Sequence, residues 1–177
     1  MGMYSFTFVV GDADAQSEDF EDRFFEAGCD DATLSLMHGA VAVCFDREAS
    51  CYKDAVMSAY EDVLSTNSRL LRFEPDFLVS AAEIANRAGL SRAAVSLYEK
   101  GERGSNFPKP YARITTASPL WDWVEVSRWL CVNQKLDVSE FRDAQVARLV
   151  NFGVQLHEPF AVTNAKLDNA LLEPLAA

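Results

Sequence analysis

The chain has few of the side chains from which metal sites and catalytic sites are built. Its 177 residues include two histidines, and its four cysteines show no CxxC spacing: Cys29, Cys44, Cys51 and Cys131. Zinc sites combine such ligands at short spacings, so we expect no metal site and four reduced thiols. No glycine-rich loop precedes a helix, and no nucleophile stands beside a general base. The sequence therefore predicts neither an enzyme nor a cofactor-binding protein.

The sequence also lacks an uninterrupted apolar run of about 20 residues, which is the length of a membrane span. Its first residues, MGMYSFTFVVGDAD, lack the basic start and the small-residue cleavage site of a signal peptide. Hydrophobic residues make up 49% of the chain, which is enough to form a packed core. We therefore expect a folded protein without membrane contact, located in the cytoplasm.

Basic side chains are scarce in the chain as a whole, whose formal net charge is −11. Such a protein is a poor ligand for nucleic acid, because affinity for a polyanion comes largely from lysine and arginine. The charge is unevenly distributed: residues 1–78 carry five basic and sixteen acidic side chains, residues 79–135 eight and five, and residues 136–177 three and six. Only the middle of the chain attracts DNA, and we expect the acidic first part to face away from a duplex.

The first 77 residues alternate between strand patterns and helix patterns. Runs of β-branched and aromatic residues predict strands, and apolar residues at helical spacing predict helices, at 4–10, 17–27, 32–37, 40–45, 52–64 and 70–73. His38 and Gly39 connect the two middle strands as a hairpin turn, and we interpret Asp30 and Asp31 as a solvated loop rather than a metal pair. This order is that of the ferredoxin-like βαββαβ fold. Residues 1–77 are thus predicted to form an acidic ferredoxin-like domain for dimerisation, partner binding or ligand binding.

Residues 79–101 contain the parts of a helix-turn-helix at the expected offsets. Ser80 and Glu83 have the spacing of a capping box at the start of a first helix. Gly89 tolerates the left-handed backbone of a tight turn, Leu90 fills the angle between the helices, and Ser91 caps the second helix. The alternative is a plain helical hairpin, but these elements together favour a DNA-reading motif.

The second helix is the predicted recognition helix. Val95 and Tyr98 pack it against the first helix, so the residues at the opposite positions of the helical turn face outward. Short and basic side chains on an outward face suit the major groove, because they allow close approach and reach guanine or phosphate. The predicted DNA-binding residues of this helix are Ser91, Arg92, Ala93, Ser96 and Lys100.

The residues that follow indicate a wing. A loop over 101–110 contains the sequence FPKP, a short strand is predicted at 111–114, and a second strand with a helix is predicted over 118–130, where the sequence reads LWDWVEVSRWL from residue 120. Over about residues 79–131 the chain resembles the MerR and excisionase (AlpA-like) winged helix-turn-helix families. The resemblance implies that the wing contacts the DNA backbone or the minor groove. It assigns that role to Arg103, Lys109 and Arg113.

We interpret the tryptophans of this segment, Trp121, Trp123 and Trp129, as core residues rather than as platforms for base stacking. Residues 78–132 are accordingly predicted to form a winged helix-turn-helix DNA-binding domain. Residues 133–177 form a C-terminal helical segment, with a helix over 138–155 and a further short helix from Thr163 onward. Dimer contacts are expected here or through the N-terminal sheet.

The predicted fold is α+β, with a ferredoxin-like domain, a winged helix-turn-helix and a C-terminal helix. We consider three functions for a chain with this architecture. The leading hypothesis is a homodimeric repressor that binds specific double-stranded DNA in the cytoplasm and associates with the nucleoid when bound. The second is an antitoxin or adaptor whose acidic N-terminal domain binds a basic protein partner and whose helix-turn-helix serves autoregulation. The third is an excisionase-like architectural factor that bends DNA.

Overall fold

The computed structural model describes residues 1–11 and 17–155. This part of the chain has an α+β architecture with six helices and a four-stranded antiparallel sheet, together with a separate pair of short strands. It divides into two compact units, which we call the sheet unit (residues 1–11, 17–75 and 149–155) and the helical unit (residues 76–148). The short helix predicted from Thr163 onward lies outside the described residues.

The sheet unit follows the element order predicted from the sequence. Its elements are β1 (Gly2–Gly11), α1 (Phe20–Glu26), β2 (Ala32–Met37), β3 (Ala40–Ala49), α2 (Tyr52–Ser65) and β4 (Arg69–Glu74). The strands lie side by side in the order β2-β3-β1-β4, and each neighbouring pair is antiparallel. His38 and Gly39 connect β2 to β3 with φ angles of 52° and 81°, and two successive positive values are typical of a two-residue hairpin turn.

One face of this sheet carries the core of the unit. Phe8, Phe45 and Phe73 are buried there, and the ring of Phe8 lies 4.9 Å from that of Phe73 and 6.1 Å from that of Phe45. The buried side of α2, including Val56 and Val63, belongs to the same core. Burial of each such ring contributes about 2–3 kcal/mol to folding, so this alternation fixes which strand face turns inward.

A buried arginine joins three parts of the sheet unit. Arg47 of β3 donates to Asp31 at 2.8 Å, to Asp62 of α2 at 2.7 Å and to the carbonyl oxygen of Gly28 at 2.8 Å. The interpretation of Asp31 as a solvated loop residue was therefore wrong, because its carboxylate is half-buried and pairs with this guanidinium. Burial, with the nearby Asp62 carboxylate, raises the pKa of the Cys29 thiol to about 12, so this thiol stays protonated.

The helical unit is built from four helices and two short strands. They are β5 (Leu78–Val79), α3 (Ala81–Arg87), α4 (Arg92–Glu99), β6 (Trp121–Asp122), α5 (Trp123–Val132) and α6 (Val138–Gln155), of which α6 continues into the sheet unit after Arg148. β5 and β6 pair in antiparallel register across more than forty residues of chain. Asp122 caps α5 by accepting from the Val124 N–H at 2.8 Å and binds Arg148 of α6 at 3.0 Å.

The strand predicted at 111–114 was wrong. Only Ala112 takes part in β pairing, as a single bridge to Leu120. Arg113 has a φ of 54°, in the left-handed region, which ends the extended backbone directly after the bridge. The second predicted strand is present as β6, but its partner is β5 and not the segment at 111–114. The predicted two-stranded wing is thus reduced to one bridged turn.

Candidate nucleic-acid interface

The first helix of the predicted motif, α3, begins at a capping box. Ser80 Oγ accepts from the Glu83 N–H at 3.3 Å, and the Glu83 carboxylate accepts from the Ser80 N–H at 2.7 Å. Partial burial acts to raise the pKa of Glu83, but the hydrogen bonds from Ser80 outweigh it and the pKa is lowered. Two backbone donors that the helix leaves open are satisfied in this way, so the start of α3 is fixed at Ala81.

A four-residue connection, residues 88–91, sets the direction of the second helix, α4. Gly89 has a φ of 61°, Leu90 donates its N–H to the Ala85 carbonyl oxygen at 2.8 Å, and the side chain of Leu90 packs against the core. Ser91 then caps α4, because its Oγ accepts from the Ala94 N–H at 3.1 Å. The predicted site residue Ser91 is therefore a structural cap, and its hydroxyl hydrogen is still available to an acceptor.

The inner face of α4 is fully buried. Val95 and Tyr98 are 0% and 2% exposed, and both belong to one core cluster with residues of α3 and α5. The Tyr98 ring lies 5.9 Å from that of Phe107 and 5.0 Å from that of Trp129. These contacts fix the rotation of α4 about its axis, and that rotation decides which side chains face solvent.

The outer face of α4 presents the residues that the sequence singled out. Arg92, Ala93 and Lys100 are exposed and Ser96 is half-buried. Arg92, Ser96 and Lys100 follow one another at intervals of four, so they form one stripe about 12 Å long at the helical rise of 1.5 Å per residue. The structure therefore brings these predicted residues together on a single face.

Four of the five basic side chains of the predicted site make no polar contact with the rest of the described chain. Within the described part of the chain, the side chains of Arg92, Lys100, Lys109 and Arg113 make no ion pair and no hydrogen bond. The side chains of Arg47 and Arg148, by contrast, bind carboxylates. As far as the described residues go, these four cations are thus available to an external anion without displacement of an internal partner.

The loop that follows α4 is held down by aromatic residues. Phe107 is buried, Trp129 Nε1 donates to the Ser105 carbonyl oxygen at 2.9 Å, and Trp121 Nε1 donates to that of Pro108 at 3.2 Å. The guanidinium of Arg103 lies 5.6 Å from the centre of the Tyr98 ring. The interpretation of the three tryptophans as core residues is confirmed, since Trp121, Trp123 and Trp129 are all buried.

The bridged turn carries the last predicted wing residue. Tyr111 and Ala112 both donate to the Leu120 carbonyl oxygen, at 2.7 and 3.0 Å, and Leu120 donates back to Ala112 at 2.9 Å. Thr116 closes the turn by donating its N–H to the Arg113 carbonyl oxygen at 3.0 Å. The tip exposes Arg113 together with Ile114, which is 70% exposed. An ordered turn therefore presents a cation beside an apolar side chain.

Sequence reasoning missed Arg128, a basic residue of α5 near the predicted wing. Lys109 lines a groove of about 390 Å³ together with Tyr111, Glu125 and Arg128 of α5. The spacing of Glu125, Arg128 and Val132 on one helical stripe, opposite the buried Val126 and Leu130, was the signal that would have found Arg128.

Two carboxylates reduce the positive potential around α4, because Glu99 and Glu102 are both exposed next to Lys100 and Arg103.

Within residues 1–11 and 17–155, three or more metal-binding side chains do not cluster anywhere. None of the helices described here combines the length and the apolar character that a membrane crossing needs. No family model matches the chain, and neither a curated protein nor a solved structure matches it with significance.

Proposed function

We propose that the chain is a sequence-specific DNA-binding transcriptional regulator that acts as a homodimeric repressor. The observation that carries this proposal is the outward stripe of α4 and its C-cap, in which Arg92 and Lys100 are exposed and Ser96 is half-buried, while the opposite face of the helix is buried in the core. In this proposal α3 and α4 are a helix-turn-helix of the MerR and excisionase kind, and α4 is the recognition helix.

The dimensions of α4 support this role. The major groove of B-DNA is about 12 Å wide and admits an α-helix, and short side chains on the facing surface allow a close approach. Ala93 and Ser96 are short, and Arg92 in the first turn has the bidentate donors that match the O6 and N7 acceptors of guanine. Arg92 is therefore proposed as the principal base-reading residue, with Lys100 on phosphate.

The loop and the bridged turn are proposed as the wing. Arg103, Lys109 and Arg113 lie on segments fixed by hydrogen bonds and by the buried Phe107, so phosphate contacts there cost little ordering of the backbone. Such contacts set the register of α4 in the groove without reading sequence. The sheet unit is proposed to be ferredoxin-like, on the strength of its element order and strand order.

Selection from random duplex DNA, followed by mobility shift at a fixed moderate salt concentration, tests the proposal. We expect an enriched site with two related half-sites, because a homodimer presents two copies of α4. Arg92→Ala should weaken binding to this site by roughly 10-fold or more, as expected for the loss of one bidentate base contact. Arg69→Ala, which removes the same charge from an exposed position of the sheet unit, is the matched control.

Two outcomes would contradict the proposal. One is that no sequence is enriched, so that the chain retains all duplexes equally or none. The other is that Arg92→Ala and Arg69→Ala weaken binding equally, since the effect would then come from net charge and not from α4.

A further inference from the structure

Strand β2 is an open edge of the four-stranded sheet. It pairs with β3 on one side, and no other strand of the described residues pairs with its outer side. The Asp46 N–H donates to the Asp31 carbonyl oxygen at 3.2 Å, which sets the alternation of hydrogen bonds between these two strands. By that alternation, the backbone groups of Leu34 and Leu36 point away from β3. Among residues 1–11 and 17–155, the outer edge thus carries unused donors and acceptors at the spacing of a β-strand.

Nothing in the sequence of β2 protects this edge. Proteins usually blunt an edge strand with charges, proline, a bulge or a covering segment. The opposite edge strand, β4, contains Arg69 and Glu74, and the Asn151 carboxamide binds both backbone groups of Phe73, at 3.0 and 2.9 Å. β2 reads ATLSLM, with no charge and no proline. The β4 edge is therefore charged and partly capped, whereas the described residues leave the β2 edge able to accept a strand.

A groove runs beside this edge and is lined by α1 and β2. Its volume is about 420 Å³, and Phe24, Phe25 and Leu34 form its apolar part. Phe25 is 67% exposed, and at the hairpin end of the strand Leu36 and Met37 are 63% and 57% exposed. Apolar side chains beside unused backbone groups are what an added β-strand requires, because the backbone supplies affinity and the side-chain pockets supply selectivity.

The charge of the groove rim determines which kind of strand can bind there. Glu21 and Asp22 of α1 and Asp30 of the following loop contribute three carboxylates to the lining, and basic groups do not contribute to it. A second copy of the chain, docked strand to strand, would bring its own acidic α1 towards this rim. Like charges placed together in an interface cost free energy, whereas arginine or lysine would pair with these carboxylates.

We infer that the outer edge of β2 binds an extended, basic segment of a partner protein, which adds to the sheet as a fifth strand. The backbone of the segment pairs with Leu34 and Leu36, and its basic side chains lie against Glu21, Asp22 and Asp30. This site belongs to the sheet unit alone, so it does not depend on the proposed DNA binding.

The charge of the rim is tested with the full chain and a defined probe. The probe is a fluorescein-labelled ten-residue peptide in which arginine alternates with valine, and the readout is fluorescence anisotropy at 150 mM salt. We expect the double variant Glu21→Gln, Asp22→Asn to weaken peptide binding by about tenfold. The control Glu48→Gln, Glu61→Gln has the same net charge but alters exposed residues outside the groove, and should change affinity less than twofold.

The backbone pairing is tested separately. Leu36→Pro removes an outward N–H and leaves the ladder to β3 intact, so peptide binding should fall while the far-ultraviolet spectrum is kept. Leu36→Ala keeps the N–H and should retain most of the binding. In hydrogen exchange, bound peptide should lower the exchange rates of the Leu34 and Leu36 amide hydrogens. The amides of Thr33 and Ser35 already donate to β3, so their exchange rates should change little.

Three results would overturn the inference. An alternating glutamate and valine peptide that binds as tightly as the basic one removes the charge argument. Protection that appears away from β2 places the peptide elsewhere. If the free chain is a dimer whose Leu34 and Leu36 amides are already protected, a second copy occupies the edge.

Discussion

Gly104 lies at a position where the backbone and the packing both exclude a side chain. Its φ is +70°, and a Cβ atom built there would stand 2.9 Å from Cζ2 of Trp129. Trp129 cannot move away easily, because its ring packs on Tyr98 and Phe107 and its Nε1 binds the Ser105 carbonyl oxygen. Gly89 has a similar φ of +61° but nothing within 4 Å. A side chain at Gly89 would therefore meet conformational strain alone, whereas one at Gly104 would meet both conformational strain and a steric conflict.

We expect Gly89→Ala to lower the free energy of unfolding by about 1 kcal/mol, the cost of a left-handed alanine. Gly104→Ala should cost about 2 kcal/mol or more, because the overlap with Trp129 adds to the same strain. Urea unfolding followed by tryptophan fluorescence measures both values. Equal losses for the two variants would mean that Trp129 is not held as firmly as its contacts indicate.

Asp143 on α6 gives the helical unit a dependence on pH. Burial, with the neighbouring charge of Glu140 as the second cause, raises the pKa of Asp143 to about 6. A carboxyl group whose pKa is raised in the folded state contributes its full stability only below its pKa in the unfolded chain, about 3.9. This contribution is lost as the pH rises through the folded-state pKa of about 6. At neutral pH the charged carboxylate therefore opposes folding.

Asp143→Asn should consequently raise the free energy of unfolding at pH 8 by about 1 kcal/mol, a value reduced from the full shift because the side chain is partly exposed. At pH 4 the variant and the parent should be equally stable, since the parent is then largely protonated. Chemical unfolding at pH 4, 6 and 8 measures this difference. Glu140→Gln should give a smaller gain of the same sign, and a gain independent of pH would exclude titration as the cause.

Among the secondary-structure elements, those defined by local signals were predictable from the sequence. Gly89 and the caps Ser80 and Ser91 fixed the α3 and α4 boundaries within a residue or two, because capping and turn formation involve neighbouring residues. The outward stripe of α4 followed from helical spacing once Val95 and Tyr98 were assigned to the core.

Elements that depend on distant partners were not predictable in the same way. Leu78–Val79 is too short to read as a strand without Trp121–Asp122, which pairs with it from far along the chain. The strand predicted at 111–114 failed because the left-handed backbone of Arg113, which is not a glycine, gives no strong signal in the sequence. The pairing of Arg47 with Asp31 and Asp62 likewise depends on how β3 and α2 come together.

The last turns of α6 protect the β4 edge of the sheet unit through one side chain. Asn151 is 1% exposed, and its carboxamide both accepts from the Phe73 N–H and donates to the Phe73 carbonyl oxygen. Replacement by leucine keeps a similar volume but leaves both backbone groups without their partner.

Asn151→Leu should therefore lower the free energy of unfolding by about 2–4 kcal/mol, the usual cost of two unsatisfied buried groups. Asn133→Ala, which removes one hydrogen bond to the Trp129 carbonyl oxygen at an exposed position, should cost about 1 kcal/mol. Thermal and urea unfolding compare the two. A mild effect of Asn151→Leu would show that water or another group satisfies the β4 edge.

At the scale of the whole molecule, the proposed binding to DNA should depend on salt concentration, although the net charge of the chain is −11. Each phosphate contact made by a cation contributes about −0.9 to the slope of log affinity against log salt concentration. Four groups of the helical unit are proposed to meet phosphate: Lys100, Arg103, Lys109 and Arg113. The slope should therefore be about −4 for each bound protomer. In this proposal, the carboxylates elsewhere in the chain add repulsion but no phosphate contacts.

In this proposal the bridged turn contacts phosphate and α4 reads the bases, so mutations in the two elements should have different effects on DNA binding. Arg113→Ala should reduce the steepness of the slope by about 1 for each protomer and weaken specific and random DNA alike, because a phosphate contact reads no sequence. Arg92→Ala should reduce the preference for the selected site over random DNA by about 1–3 kcal/mol and change the slope less. Titrations of both duplexes from 50 to 300 mM salt measure affinity and slope together. If Arg113→Ala instead abolished the preference, the turn and not α4 would be the part that reads the bases.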